Sequence, residues 1–201
     1  MVIDLAYPFE GRWRALNSPV DRVPSHGTTR FASSYAIDFV FVGEEGRSAP
    51  FTAASLVRPE PPERFGGFGR PLRSPVAGNV VGVADAAPDH AAFRGLPSIG
   101  YALTQACRAR EGWSALAGNH VIVEADGILV ALCHLQQGSA LVRAGDRVGR
   151  GDPVARCGNS GNSTEPHVHV QAVDDLDLAR ARAVPLTFDG TLPRSGAIVH
   201  A

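Results

Sequence analysis

Seven histidines are spread along the chain, at positions 26, 90, 120, 134, 167, 169 and 200. One short run places two of them together: Pro166-His167-Val168-His169-Val170-Gln171. Side chains on a strand alternate between its two faces. As a strand, this run sends His167 and His169 to one face and Val168 and Val170 to the other. The valines then enter a core while the two imidazoles share one space. Such a pair suits a metal site, or one ligand beside one proton-transfer group. Taken alone, the same pattern also describes the polar face of an amphipathic strand.

The surroundings favour chemistry. The turn-rich segment Gly158-Asn159-Ser160-Gly161-Asn162-Ser163-Thr164-Glu165 delivers the chain into the histidine run from a tight loop. His134 ends another apolar run, Ala131-Leu132-Cys133-His134-Leu135. Asp38 interrupts the apolar Ile37-Asp38-Phe39, where a carboxylate is costly unless paired or metal-bound. His26 lies in the loop before it, in Pro24-Ser25-His26-Gly27-Thr28. Histidines with one Asp on strands, away from any cysteine cluster, point to a catalytic rather than a structural zinc site. A catalytic zinc keeps three N/O ligands and an open position for water.

The string Gly-Asn-Ser-Gly-Asn-Ser-Thr-x-Pro-His-x-His, the preceding Cys-His-Leu and the Val-x-x-Gly-Asp-x-Val repeat closely resemble the lysostaphin/LytM-type zinc endopeptidases. The resemblance is best over residues 74–171. It implies a mainly β fold, a duplicated hybrid motif-like antiparallel sheet that forms a groove, and one zinc ion (Zn2+). Carried over by position, it makes His169 and Asp38 metal ligands and His134 and His167 the catalytic histidines. It also implies a substrate class, the peptide cross-links of bacterial peptidoglycan. One departure concerns the first ligand, which in the family stands four residues before the Asp. Here that position is Ser34, a poor zinc ligand, and the nearest upstream histidine is His26, twelve residues before Asp38. The reading adopted is a longer loop that returns His26 to the metal, giving a ligand set of His26, Asp38 and His169. The alternative is a non-catalytic LytM-like binding or regulatory module that has lost zinc.

The elements that must position these residues are short strands. Gly 22 and Pro 15 in 201 residues supply turn formers throughout. Strand-like runs cover residues 35–42, the stretch after Ser74-Pro75, and 119–124 and 127–135, the last two joined at Ala125-Asp126-Gly127 by a hairpin signal. A Gly-Asp turn recurs at Gly145-Asp146 and Gly151-Asp152, as expected of short strands in a barrel-like or layered sheet. Residues 96–116 form the best helical candidate, weakened by Gly100, and 174–182 read as one short helix. The Pro/Gly-rich residues 43–73 read as a long surface insertion. The expected fold is therefore a single mainly antiparallel β domain with long loops and one insertion helix. Residues 1–73 carry two of the metal ligands, 74–173 the core with the catalytic motifs, and 174–201 a tail.

Composition removes several classes. All 19 basic residues are Arg, so a pyridoxal Schiff base, a P-loop lysine and biotin or lipoyl attachment are excluded. A net charge of −1 gives no sign of a nucleic-acid partner. The apolar runs are too short to span a bilayer. Asp4 and Glu10 interrupt the opening residues, so no signal peptide is visible and the compartment stays open. Cys133 and Cys157 lie in apolar runs and read as buried small side chains. His120 reads as a satisfied strand residue, His90 as part of a surface turn and His200 as solvated. A phosphocarrier with facing histidines is a further rival, disfavoured by the H-x-H and the Asn-Ser-Gly-Asn-Ser-Thr turn.

Overall fold

The computed structural model describes residues 2–201. Strands β1 (Ile3–Leu5), β2 (Arg12–Leu16) and β3 (Ile37–Phe41) precede the insertion. Strands β4 (Pro71–Arg73) and β5 (Gly78–Ala84) follow it, then helices α1 (Leu96–Leu103), α2 (Gln105–Arg110) and α3 (Trp113–Ala117). The hairpin β6 (Asn119–Ala125) and β7 (Ile128–Leu135) comes next, then β8 (Arg147–Val148), β9 (Pro153–Arg156) and β10 (Val168–Val173). Strands β11 (Leu186–Phe188) and β12 (Ile198–His200) end the chain. One eight-stranded antiparallel sheet runs in the order β12-β2-β3-β10-β7-β6-β5-β8. Two small pairs, parallel β1–β11 and antiparallel β4–β9, lie apart from it.

Period-two alternation sorts the central strands onto two cores. Ile37 and Phe39 of β3, Ile128, Val130 and Leu132 of β7, and Val168, Val170 and Ala172 of β10 enter the larger core. There they meet Leu5, Leu186 and Phe188 of one small sheet and Leu72 and Val154 of the other. Phe9, Trp13, Phe39 and Phe188 are buried in it, with Phe9 stacked on Trp13 at 4.5 Å between centroids. Each such side chain contributes about 1.5–3 kcal/mol on burial. The opposite face of the same strands presents Leu129, Ala131, Cys133 and Val173, which pack with Ala32, Ala117 and Leu178. The middle of the sheet is thus covered on both sides, and β7 is buried along its whole length. The valines of the histidine run are in the core, as expected from the sequence.

The hairpin signal at Asp126-Gly127 is met, with both residues at positive φ (+52° and +79°). Residues 43–73 form an insertion tied down by Glu60. That carboxylate is buried, accepts from Arg94 Nε and Nη2 at 2.7 and 2.8 Å, and pairs with Arg64 at 3.4 Å. Phe65, Ala49 and Ala92 make a small core beside it.

Three expectations are corrected. The insertion helix is three short helices; Gly100 is accommodated inside α1, and the breaks fall at Thr104 and at Gly112, whose φ is +103°. No helix forms over 174–182. Asp174, Asp175 and Asp177 instead accept bonds from backbone N–H groups of Arg182, Asp177 and Ala179, and such local bonds compete with the helical ladder. His90 is not a free surface turn: its Nε2 lies 3.0 Å from Gly161 O and 3.1 Å from the Tyr101 hydroxyl. His120 is satisfied, with Nδ1 2.8 Å from Gly118 O, and His200 is exposed, both as read from the sequence. No helix among the described residues is long and apolar enough to cross a membrane.

Candidate metal centre

The centre is built on the second face of the sheet. Strands β3 and β10 pair with Asp38 opposite His169, and β10 and β7 pair with His169 opposite Cys133. Directly opposed residues put their side chains on one face, so the three form a row across the strands. His169 Nδ1 lies 2.8 Å from Asp38 Oδ1. His167, two residues before His169 and on the same face, has Nε2 3.8 Å from that oxygen. Its Nδ1 is held by Glu165 O at 2.8 Å and Ser163 Oγ at 3.0 Å.

His134 reaches this face by a bulge. Cys133 pairs with His120 and Leu135 with Asn119, which leaves His134 as an extra residue in β7. Its backbone is left-handed, φ +63°, a region that non-glycine residues seldom adopt. Strict alternation from Leu132 would bury the ring in the core. The bulge turns it beside His167, with ring centroids 4.6 Å apart. The displaced His134 carbonyl accepts from Gly158 N at 3.0 Å, so the irregularity leaves no orphan there.

His26 comes from the loop before β3, and the loop explains the long spacing to Asp38. Ser25 N donates to Ser34 O at 3.0 Å and Ser25 Oγ to Ser33 O at 3.2 Å, closing a neck. That neck sets His26 beside Asp38, with Nε2 3.0 Å from Oδ2. Ser34 contributes its carbonyl to the neck and has no place in the cluster. Phe31 and Ala32, both left-handed (φ +54° and +56°), let the loop turn back within a few residues. One donor atom each from His26, Asp38 and His169 lies within 4.8 Å of the other two, and this is the one such group found among the described residues.

Electrostatics follow from the geometry. Burial alone would push the Asp38 carboxyl up. The His26 charge, hydrogen bonds from His169 and His26, and His167 outweigh it and hold Asp38 well below the usual carboxylate range. Asn17 Nδ2 also donates to Oδ2 at 2.7 Å. Burial tends to lower His26 and Arg22 adds to this, but the Asp38 carboxylate lifts it above the ordinary imidazole value. Burial, with His167 and His169 nearby, holds His134 well below that value. Cys133 is pushed up by burial and by Asp38, so it sits in the row as a neutral thiol.

A buried carboxylate ringed by three imidazoles and one carboxamide fits a divalent cation. The mixed nitrogen and oxygen donor set fits zinc among such ions. A cleft of about 750 Å³ opens over the cluster, walled by Phe31, Trp113, Leu116 and the α2 residues Ala106 and Ala109. The helical insertion thus lines the cleft.

All five residues singled out from the sequence, His26, Asp38, His134, His167 and His169, meet in this cleft. Asn17, Ser25, Ser160 and Gln171 also support it and were missed. Gln171 had a signal, since it follows His169 at the same period of two; Asn17 had none.

Residues 101–178, which hold His134, His167 and His169, match the family model of Peptidase family M23. The matched span begins after His26 and Asp38. Among solved structures, the chain is similar to the catalytic domain of lysostaphin from Staphylococcus simulans. That similarity has 16% identity and a TM-score of 0.43, and covers 90% of this chain and 88% of that one. It is also similar to a mutant catalytic domain of the prophage-encoded M23 protein EnpA from Enterococcus faecalis. There the identity is 18% and the TM-score 0.43, over 75% of this chain and 73% of that one. A third similarity is to LytU, at 20% identity and a TM-score of 0.42, over 74% and 68% of the two chains.

Proposed function

We propose that this chain is a zinc metalloendopeptidase that hydrolyses peptide bonds, with the peptide cross-links of bacterial peptidoglycan as its substrate class. The observation that carries the reading is one cluster with two kinds of imidazole. His26 and His169 face the Asp38 carboxylate, whereas His134 is held away from it by the Ser160 carbonyl, with Nδ1 3.0 Å from that oxygen.

His26, Asp38 and His169 would hold the ion. When bound, zinc lowers the pKa of a coordinated water toward ~7 and polarises the scissile carbonyl. His134, kept neutral by burial, takes the proton of the attacking water on Nε2 and later gives it to the leaving amine. His167, with Nδ1 donating to Glu165 O, turns the lone pair of Nε2 toward the same space and helps His134 orient the attacking water by accepting from it. The cleft walls orient the peptide and limit the water around it.

Metal content of purified wild type, His26→Ala and Ser34→Ala tests the assignment, together with turnover of peptidoglycan peptides. Roughly one zinc per chain is expected, lost in His26→Ala and kept in Ser34→Ala. No zinc even after reconstitution would overturn the enzyme and leave a binding module.

A further inference from the structure

We propose that Gln171 is the positioning residue that joins the two halves of the centre, orienting His169 with one end of its carboxamide and clasping the His26 loop with the other. The inference rests on the metal site proposed above.

Gln171 lies on β10 two residues beyond His169, on the same face, and is 2% exposed. Its Oε1 is 3.0 Å from His169 Nε2. Its Nε2 is 3.3 Å from the carbonyl oxygen of Phe31, which lies 140 residues earlier in the chain. These two contacts set each other. A backbone carbonyl only accepts, so the NH2 end of the amide must face Phe31. The oxygen end then faces His169, and a carboxamide oxygen also only accepts. When an ion is held beside Asp38, the proton is therefore on Nε2, and the lone pair left for the ion is on Nδ1. That nitrogen lies 2.8 Å from Asp38 Oδ1, in the space shared with His26. A ligand imidazole is commonly held through its other N–H in this way.

The second contact acts on the loop. Phe31 and Ala32 adopt a left-handed backbone that L side chains seldom take up, and that pair lets the chain between His26 and Asp38 double back. The Phe31 carbonyl is where the sheet grips this pair. One side chain thereby couples a ligand on β10 to a ligand on a loop far away in sequence. No ion or substrate need touch Gln171 for it to act.

The test uses the full chain with zinc, and two variants. Gln171→Met fills the same space and removes both contacts; Gln171→Glu keeps the acceptor for His169 and loses the donor to Phe31. In zinc-loaded wild type, ¹⁵N NMR is expected to show His169 with a slowly exchanging proton on Nε2. In Gln171→Met that proton is expected to exchange rapidly, zinc affinity by chelator competition to fall about 10–100-fold, and amide exchange over residues 27–34 to rise. Gln171→Glu is expected to recover the His169 signal and most of the affinity while the loop still exchanges faster. A His169 proton on Nδ1 in the wild type would overturn the proposal and needs no variant. So would Gln171→Met with wild-type affinity and wild-type loop exchange. A wild type that takes up no zinc instead defeats the metal-site reading. The loop half of the clasp is then judged on metal-free protein by the same amide exchange.

Discussion

His134 Nδ1 lies 3.0 Å from the carbonyl oxygen of Ser160, and the bond decides which nitrogen is left for the cleft. A carbonyl accepts only, so Nδ1 carries the proton and Nε2 presents its lone pair. His169 instead sets its Nδ1 beside the Asp38 carboxylate, inside the proposed ligand set. The two rings should therefore separate in mutagenesis. His134→Asn, which tolerates the left-handed backbone, is expected to lower turnover by at least about 10²–10⁴-fold, the range for a lost acid–base group, and to keep its zinc. His169→Ala is expected to lose both. Elemental analysis beside turnover checks the pair; a fully active His134→Asn would remove its role.

Stability of the metal-free protein should peak near pH 6.5, the ordinary imidazole value from which His26 and His134 depart in opposite directions. His26 is raised by Asp38, so its contribution is complete below pH 6.5 and is lost as pH rises through its folded value. His134 is lowered by burial, so its contribution is complete above pH 6.5 and is lost as pH falls toward its folded value. His120, also lowered by burial, adds to the acid limb. Urea midpoints across pH should trace this dome, and His134→Asn should flatten its acid side while leaving the alkaline side unchanged.

Gly161 and Gly118 touch backbone to backbone, both at positive φ, and a Cβ on either would run into the other's segment. Gly161→Ala is expected to cost about 1–3 kcal/mol. It should also slow turnover, because Ser160 next to it holds His134. Gly100→Ala is the contrasting case. Gly100 lies inside α1 with open space around its Cα, and the change should stabilise by up to about 1 kcal/mol. Denaturant midpoints decide both.

Glu60 anchors the long insertion through Arg94 and Arg64 while itself 3% exposed. Glu60→Ala leaves the Arg94 guanidinium only the Pro50 carbonyl as a hydrogen-bond partner and is expected to cost about 1–3 kcal/mol. Limited proteolysis should then cut within residues 43–73 faster than in the wild type. Unchanged cleavage would mean that the small core around Phe65 holds the insertion alone.

The sequence made the parity of the histidine run legible, because Val168 and Val170 are apolar at the alternate positions and the core takes them. Asp38 was legible for the converse reason, as a carboxylate in an apolar strand needs company. The side on which His134 emerges was not. It depends on a bulge at a non-glycine residue, and no residue type announces that. The neck at Ser25 and Ser34 was equally hidden, since backbone bonds carry it. The helix expected over 174–182 failed because periodicity does not count the aspartates that take backbone N–H groups for themselves. His90 read as part of a surface turn for want of any sign that Tyr101 and Gly161 would meet it.

Asp38 and His169 face each other across 131 residues of chain. The β6–β7 hairpin can form from neighbours, but this pairing must close a loop of 131 residues. Contacts of such separation form late and slowly. A chain still folding therefore does not yet hold His26, Asp38 and His169 together. The approach of Asp38 to His169 in a refolding chain therefore reports the arrival of β10 between β3 and β7.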